Sequence, residues 1–202
     1  MSQQIGVVDY GAAGNVFSIV RALECAGSSA KVIKHPQDLV GIDKLVIPGV
    51  GSFVDGMREL TTSGMSEAIV KYSETGRPLL GICLGMQVLS KVGFEYGETA
   101  GLGLMLGEVR QMQCKGVVPH MGFNTLSVVN DGPLLKGVSD TDRFYFMHSF
   151  EVQKYTDVIA LTTYAGHQFV SGVQRENIFG LQFHPEKSRQ AGIRVFENFL
   201  AL

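Results

Sequence analysis

The apolar run Leu79-Leu80-Gly81-Ile82 leads directly into Cys83-Leu84-Gly85-Met86-Gln87, so a short strand gives way to a helix through a Gly-x-Cys-x-Gly turn. Glycines on both sides of the thiol let the backbone turn sharply and hold it above the sheet edge. This is the Gly-x-Ser-x-Gly nucleophile elbow with sulfur in place of oxygen. Such a turn places the strand inside a sheet and Cys83 at its C-terminal end. A helix over 84–91 would aim its N-terminus at the thiol, favouring the thiolate over a free group of pKa ~8.5. Taken alone, a Cys flanked by Ile82 and Leu84 reads equally as a core residue. Two further segments give it a chemical role, that of a nucleophile forming a thioester.

The first is Phe183-His184-Pro185-Glu186-Lys187. Pro185 biases His184 toward an extended backbone, and in an extended segment residues two apart project to one side, so Glu186 can reach the imidazole. That gives a base and its orienter, to be brought to the nucleophile by folding. The second is Leu45-Val46-Ile47-Pro48-Gly49-Val50-Gly51-Ser52, an apolar strand closing on a Gly-x-Gly turn whose N–H groups could face a developing oxyanion. Singly, these read as a surface His beside a solvated Glu-Lys pair and as an ordinary strand-to-helix turn. Jointly they supply nucleophile, base with orienter, and oxyanion donors. Each stands at the C-terminal end of an expected strand, where open parallel α/β sheets bind ligands.

The rest of the chain supports such a sheet. Residues 5–8, 30–33, 44–47 and 79–82 are short apolar runs, separated by helical periodicity over 16–26, 53–61 and 65–75. Strands alternating with helices predict βαβ units and a parallel sheet covered on both faces. From about Gly101 the pattern changes to strand candidates at 109–113, 125–129, 144–147, 158–162, 169–174 and 178–183, an antiparallel or mixed half. A last helix over 191–202 follows. The expected class is α/β, an open, mixed, largely parallel sheet flanked by helices, with the elbow at the strand C-terminal edge.

At 202 residues and 45% hydrophobic content, one substantial core is expected. A formal charge of −2 offers no long-range attraction to nucleic acid or anionic membranes. Cys25, Cys83 and Cys114 are odd in number and widely spaced, and the five histidines show no H-x-x-x-H pairing. Neither a disulfide framework, a metal site nor a cofactor is therefore expected, and a reducing cytoplasm fits best. The first residues lack a basic n-region, and no run is long enough for a signal or membrane span. The turn Tyr10-Gly11-Ala12-Ala13-Gly14-Asn15 lacks G-x-G-x-x-G, so it reads as a tight turn or contact surface and not a dinucleotide site.

Together with Gly101-Leu102-Gly103-Leu104, Val118-Pro119-His120-Met121-Gly122, Tyr145-Phe146-Met147-His148-Ser149 and Gln182-Phe183-His184-Pro185-Glu186-Lys187-Ser188, these motifs make the chain resemble the class I (triad) glutamine amidotransferases. Within them it is most similar to the glutaminase subunits of imidazole glycerol phosphate synthase. The resemblance covers essentially the whole chain and implies one flavodoxin-like amidotransferase domain over 1–202. It implies Cys83 as nucleophile, His184 as base and acid, Glu186 as orienter, and Gly49, Val50, Gly51 and Leu84 as the oxyanion site. Gln87, Glu95 and Ser149 would hold glutamine. Ammonia would pass to a (β/α)8-barrel cyclase partner through a face including Tyr10, Asn15, Met121, Phe123, Tyr145 and Lys187. The chain departs from the family's usual pattern at Phe123, where Trp is usual, at the extra residue in Ala12-Ala13, at Phe150-Glu151 and at Arg189. These departures keep open a paralogue feeding ammonia to a sugar-amidating barrel partner. A catalytically idle regulatory subunit is a third reading, disfavoured by the intact Cys83, His184 and Glu186.

Overall fold

The structure, a computed structural model, describes residues 3–11 and 15–202; the extra residue expected at Ala12-Ala13 lies outside the described residues. The first half runs β1 (Ile5–Val8), α1 (Val16–Cys25), β2 (Ala30–Ile33), β3 (Lys44–Ile47), α2 (Phe53–Thr62), α3 (Met65–Ser73), β4 (Leu79–Ile82) and α4 (Leu84–Val88). The second half contributes β5 (Val92–Gly93), β6 (Thr99–Ala100), β7 (Glu108–Gln111), β8 (His120–Asn124), β9 (Ser127–Val128), β10 (Phe144–His148) and β11 (Phe150–Gln153). It continues with β12 (Val158–Tyr164), β13 (His167–Arg175), β14 (Ile178–Leu181) and α5 (Arg189–Ala201).

The main sheet has the order β2-β1-β3-β4-β14-β13-β12-β9. Its strands from β2 to β14 are parallel, and β13, β12 and β9 continue it antiparallel. Strands β1, β3, β4 and β14 are buried at every residue, which is why they read as continuous apolar runs and not as alternating ones. Two smaller sheets, β10-β8 and β11-β7-β5-β6, lie outside it.

One pairing matters most for the site. Strand β14, about a hundred residues downstream, inserts parallel beside β4 with Leu181 opposite Ile82, so the residues after both strands leave the sheet at the same edge. On the other side of β4, Ile47 of β3 stands opposite Gly81. The loops carrying Cys83, His184 and Gly49–Gly51 are thereby neighbours.

Helix α4 stops at Val88, short of the 84–91 expected, because Leu89 and Ser90 tighten into i,i+3 bonds and Lys91 donates to the Gly107 carbonyl on the way into β5. Strand β8 escaped the sequence reading; Gly122 at its centre has φ +128 and interrupts the alternation. Strand β11 adjoins β10 with one residue between them, so no turn residues separated it.

The elbow is close-packed to the point of admitting no side chain. A Cβ on Gly85 would sit 1.8 Å from the Ile47 carbonyl oxygen, and one on Gly81 would sit 2.5 Å from that of Gly85. Gly85→Ala is expected to destabilise the chain by about 3 kcal/mol. Urea unfolding is the check, and a wild-type midpoint would contradict it.

Candidate active site

Cys83 has φ +54 and ψ −110, a conformation that residues with a side chain rarely adopt. Backbone bonds on both sides hold it there. Its N–H donates to the Leu181 carbonyl at 2.7 Å, and its carbonyl accepts from Gln87 N–H at 3.1 Å. The side chain is 6% exposed, with Gln182 Nε2 3.7 Å and the Met147 carbonyl 3.9 Å from Sγ.

His184 leaves β14 extended, at φ −100 and ψ 95, and its N–H donates to Tyr145 of β10 at 2.8 Å. The chain then enters a 3-10 turn at Pro185–Lys187, so Glu186 reaches back through a turn and not along a straight strand as expected. The contact is made nonetheless. Nδ1 lies 2.7 Å from Glu186 Oε1, and since an ionised carboxylate only accepts, Nδ1 carries the proton. Among the described residues Nε2 is buried without a hydrogen-bond partner, and the neighbouring group that couples to the imidazole is the Cys83 thiol. Such bonds are often open before substrate binds.

Burial pushes the His184 pKa down, but its attraction to Cys83 and to the Glu186 carboxylate together outweigh burial and raise it to about 10. Glu186 is itself buried and accepts a hydrogen bond from Asn15 Nδ2. Ser188 Oγ fixes the turn from below by donating to the His184 carbonyl at 2.6 Å.

The oxyanion side is closed. Leu84 N–H, one expected donor, is engaged by the Gly49 carbonyl at 3.3 Å. Because the Gly49–Val50 peptide is planar and trans, a carbonyl directed at Leu84 turns Val50 N–H away from it. Tyr10 braces the loop by donating to the Pro48 carbonyl at 2.6 Å.

Above Cys83 opens a cavity of about 580 Å³ lined by Val50, Gly51, Gln87, Glu95, His148 and Ser149 among others. Gln87 spends both amide hydrogens inward, on the Phe150 carbonyl and Gln182 Oε1 at 3.0 Å each. Only its oxygen is left for the cavity, an acceptor suited to an ammonium group. Glu95 Oε2 accepts Phe53 N–H at the N-terminus of α2 at 2.6 Å, leaving a second carboxylate oxygen.

The sequence matches the glutamine amidotransferase class-I family over residues 7–202. Among curated relatives, the imidazole glycerol phosphate synthase subunit HisH of Wolinella succinogenes is 42% identical, over 96% of this chain and 98% of its own length. HisH 1 of Campylobacter jejuni is 40% identical, over 98% of this chain and all of its own. Among solved structures, PurLQS from Thermotoga maritima superposes with TM-score 0.80 at 24% identity over 100% of this chain and 99% of that one, a likeness of fold. The chain belongs to the class I glutamine amidotransferase family, in its HisH branch.

The amidotransferase gathers Cys83, His184 and Glu186 at one sheet edge, with Gln87, Glu95 and Ser149 beside them. The residues expected on the partner face divide. Met121 is 57% exposed, Lys187 is exposed, and Phe123 and Tyr145 are half-buried with ring centroids 5.4 Å apart. Tyr10 and Asn15 are both buried within this chain, one bonded to Pro48 and the other to Glu186. Glu151 likewise points inward, bonded to Gln153 at 2.7 Å and His167 at 2.8 Å. Gln182 escaped the reading, although alternation along an extended segment places it on the same side as His184.

Burial pushes His148 down to about 3 and His120 to about 4, so both are neutral where the unfolded chain, at 6.5, begins to protonate. Their contribution to stability is present above pH 6.5 and is lost as pH falls toward those values. His184 has the opposite sign: its contribution is full below 6.5 and is lost as pH rises through about 10. Each contributes up to about 1.4 kcal/mol per pH unit. The thermal midpoint of the amidotransferase should therefore peak near pH 6.5, and His148→Gln should flatten the acid side. An unchanged acid slope in that variant would contradict the assignment.

Proposed function

We propose that the chain is the glutaminase subunit of imidazole glycerol phosphate synthase. It would hydrolyse glutamine to glutamate and ammonia and pass the ammonia to a (β/α)8-barrel cyclase subunit. That partner makes imidazole glycerol phosphate and an aminoimidazole carboxamide ribotide in cytoplasmic histidine biosynthesis. The observation that carries the reading is the Cys83–His184–Glu186 array beneath a cavity lined by Gln87, Glu95 and Ser149, in a chain about 40% identical to HisH subunits along its length.

The chemistry follows from the atoms. Cys83 thiolate attacks the side-chain amide carbon, and the carbonyl electron pair moves onto oxygen. As the tetrahedral adduct collapses, His184 gives its Nε2 proton to the departing nitrogen, leaving ammonia and a thioester. Neutral His184 then takes a proton from water, hydroxide adds to the thioester, and glutamate leaves as the thiolate is restored. Glu186 and Asn15 hold the imidazole in one tautomer and stabilise its charge.

The Gly49 carbonyl occupying Leu84 N–H supports a resting state with its oxyanion site shut, to be opened when a ligated partner rotates the Gly49–Val50 peptide. Gly51, at φ +115 with open space around it, can absorb that rotation. The isolated chain should release glutamate slowly and respond strongly to the histidine-pathway cyclase with its ribonucleotide ligand. Cys83→Ala should abolish glutamine-dependent turnover of the complex while leaving ammonia-dependent synthesis intact. Full turnover by the chain alone would sink the gating.

Phe123 and Arg189, whose guanidinium lies 5.2 Å from the Phe123 ring, alter the face on which a partner would dock and favour one alternative, the sugar-amidating paralogue. Absence of stimulation by the cyclase, with Cys83 still trapped by a glutamine-like diazoketone, would select it. Failure of the trap would select the idle subunit.

A further inference from the structure

The glutaminase chemistry above uses neither Gln182 nor the buried histidines His120 and His148. Gln182 is fully buried at the exit of β14, its Nε2 3.7 Å from Cys83 Sγ and its Oε1 accepting from Gln87. The other polar neighbour of the sulfur, the Met147 carbonyl at 3.9 Å, can accept from a thiol but repels a thiolate. Gln182 is the amide donor aimed at the sulfur in its reactive form.

Gln87 is fixed in turn. The Phe150 carbonyl that accepts from it also lies 2.9 Å from His148 Nδ1, which must therefore carry the proton. His148 Nε2 is then an acceptor, 3.3 Å from His120 Nδ1, and this sets the second tautomer. His120 Nε2, left as acceptor, faces Asn124 Nδ2 at 3.5 Å at the end of β8, the strand that also carries the exposed Met121. The His120 ring is clamped between Phe146 and Tyr164, with centroids at 4.8 Å and 4.1 Å, so it cannot turn to another partner. Donors run from Asn124 through both imidazoles to the Phe150 carbonyl, which also accepts from Gln87 on its other side. Protonation of either imidazole would set two N–H groups against each other, and burial keeps both neutral.

We propose that Gln182 is a positioning residue for the Cys83 thiolate, held in place by a hydrogen-bond network in which Asn124, His120 and His148 donate in turn toward the Phe150 carbonyl, while Gln87 donates both to that carbonyl and to Gln182. The proposal rests on Cys83 being the glutaminase nucleophile. It makes the paired strands β8 and β10, where Met121 is exposed, and the thiolate two ends of one network, so a protein docked over Met121 would bear on the nucleophile without touching it.

The test is the pH dependence of iodoacetamide alkylation at Cys83 in the full chain, read on its peptide by mass spectrometry. His184 and Tyr10, the titratable groups coupled to the thiol, and Glu186 behind His184 stay in place in both variants. Gln182→Met keeps the length and removes the donor, and should move the midpoint up by about one pH unit, the scale of one hydrogen bond to a charged group. His120→Phe keeps the ring stack and breaks the chain, and should move the midpoint upward by less. The double variant should shift no further than Gln182→Met alone, since the two act in series. An unmoved midpoint in Gln182→Met, or additive shifts, would overturn the proposal. Loss of thermal stability with an unmoved midpoint is what a merely structural role gives, and overturns it equally. If Gln182→Met does not fold, His120→Phe decides alone by the presence or absence of its shift. Trapping of the wild-type Cys83 by the diazoketone comes first: its failure sinks the glutaminase reading, whereas a trapped wild type with unmoved variants sinks only the network.

Discussion

The approach of Gly85 to the Ile47 carbonyl is the constraint on which the rest of the molecule hangs. Only with no side chain at that position can α4 begin one residue after Cys83 and lie against β3. Only then is Cys83 forced to φ +54, which lifts its side chain off the sheet edge and away from the core that Ile82 and Leu84 enter. Such strain persists where surrounding structure over-determines it. Here the Leu181 carbonyl from one neighbouring strand and the Gly49 carbonyl after the other take the N–H groups of Cys83 and Leu84. The elbow is thus a product of sheet order as much as of local sequence: without β14 on one side and β3 on the other, it would have nothing to press against.

The same edge accepts polar costs that a purely structural core would avoid. Glu186 is a buried carboxylate, and burying such a charge is tolerated only with compensating bonds. Asn15 and His184 supply them to Oε1, while among the described residues Oε2 and His184 Nε2 are left without partners. Unsatisfied buried groups beside a strained residue are what stability alone would remove. Their retention around one thiol and below one cavity is coherent only if substrate and developing charge complete the set.

Much of this was legible in the sequence because the parallel half of the sheet is buried on both faces. Residues 5–8, 30–33, 44–47 and 79–82 are bounded by polar residues, prolines or the elbow cysteine, and the strands keep those bounds. Cys83, His184 and Glu186 were legible because their chemistry needs fixed neighbours in the chain. Strands β8 and β11 were hidden, one by Gly122 at its centre and the other by its abutment on β10. The inward bonds of Tyr10 and Asn15 were not legible, because a loop after β1 reads as surface. Nothing local says that a phenol will reach the Pro48 carbonyl, or that an amide will meet a carboxylate 171 positions away. The role of Gln182 was hidden by the motif it belongs to, which drew attention to the two residues with titratable side chains.

The closed oxyanion site follows from the rule that makes it useful. Leu84 N–H lies in a residue 1% exposed, and a buried backbone donor left unpaired costs about 1–3 kcal/mol. In the resting chain the Gly49 carbonyl answers it. During the reaction a tetrahedral oxyanion would answer it better, as a charged acceptor. Between these two states, a chain with the carbonyl withdrawn and no oxyanion present has nothing to offer the donor. That penalty alone holds the open form roughly 5- to 150-fold below the closed one. On the proposed role of Leu84 N–H, this elbow carries its own restraint on glutamine hydrolysis, and whatever opens it must bind the rotated peptide more tightly by at least that margin.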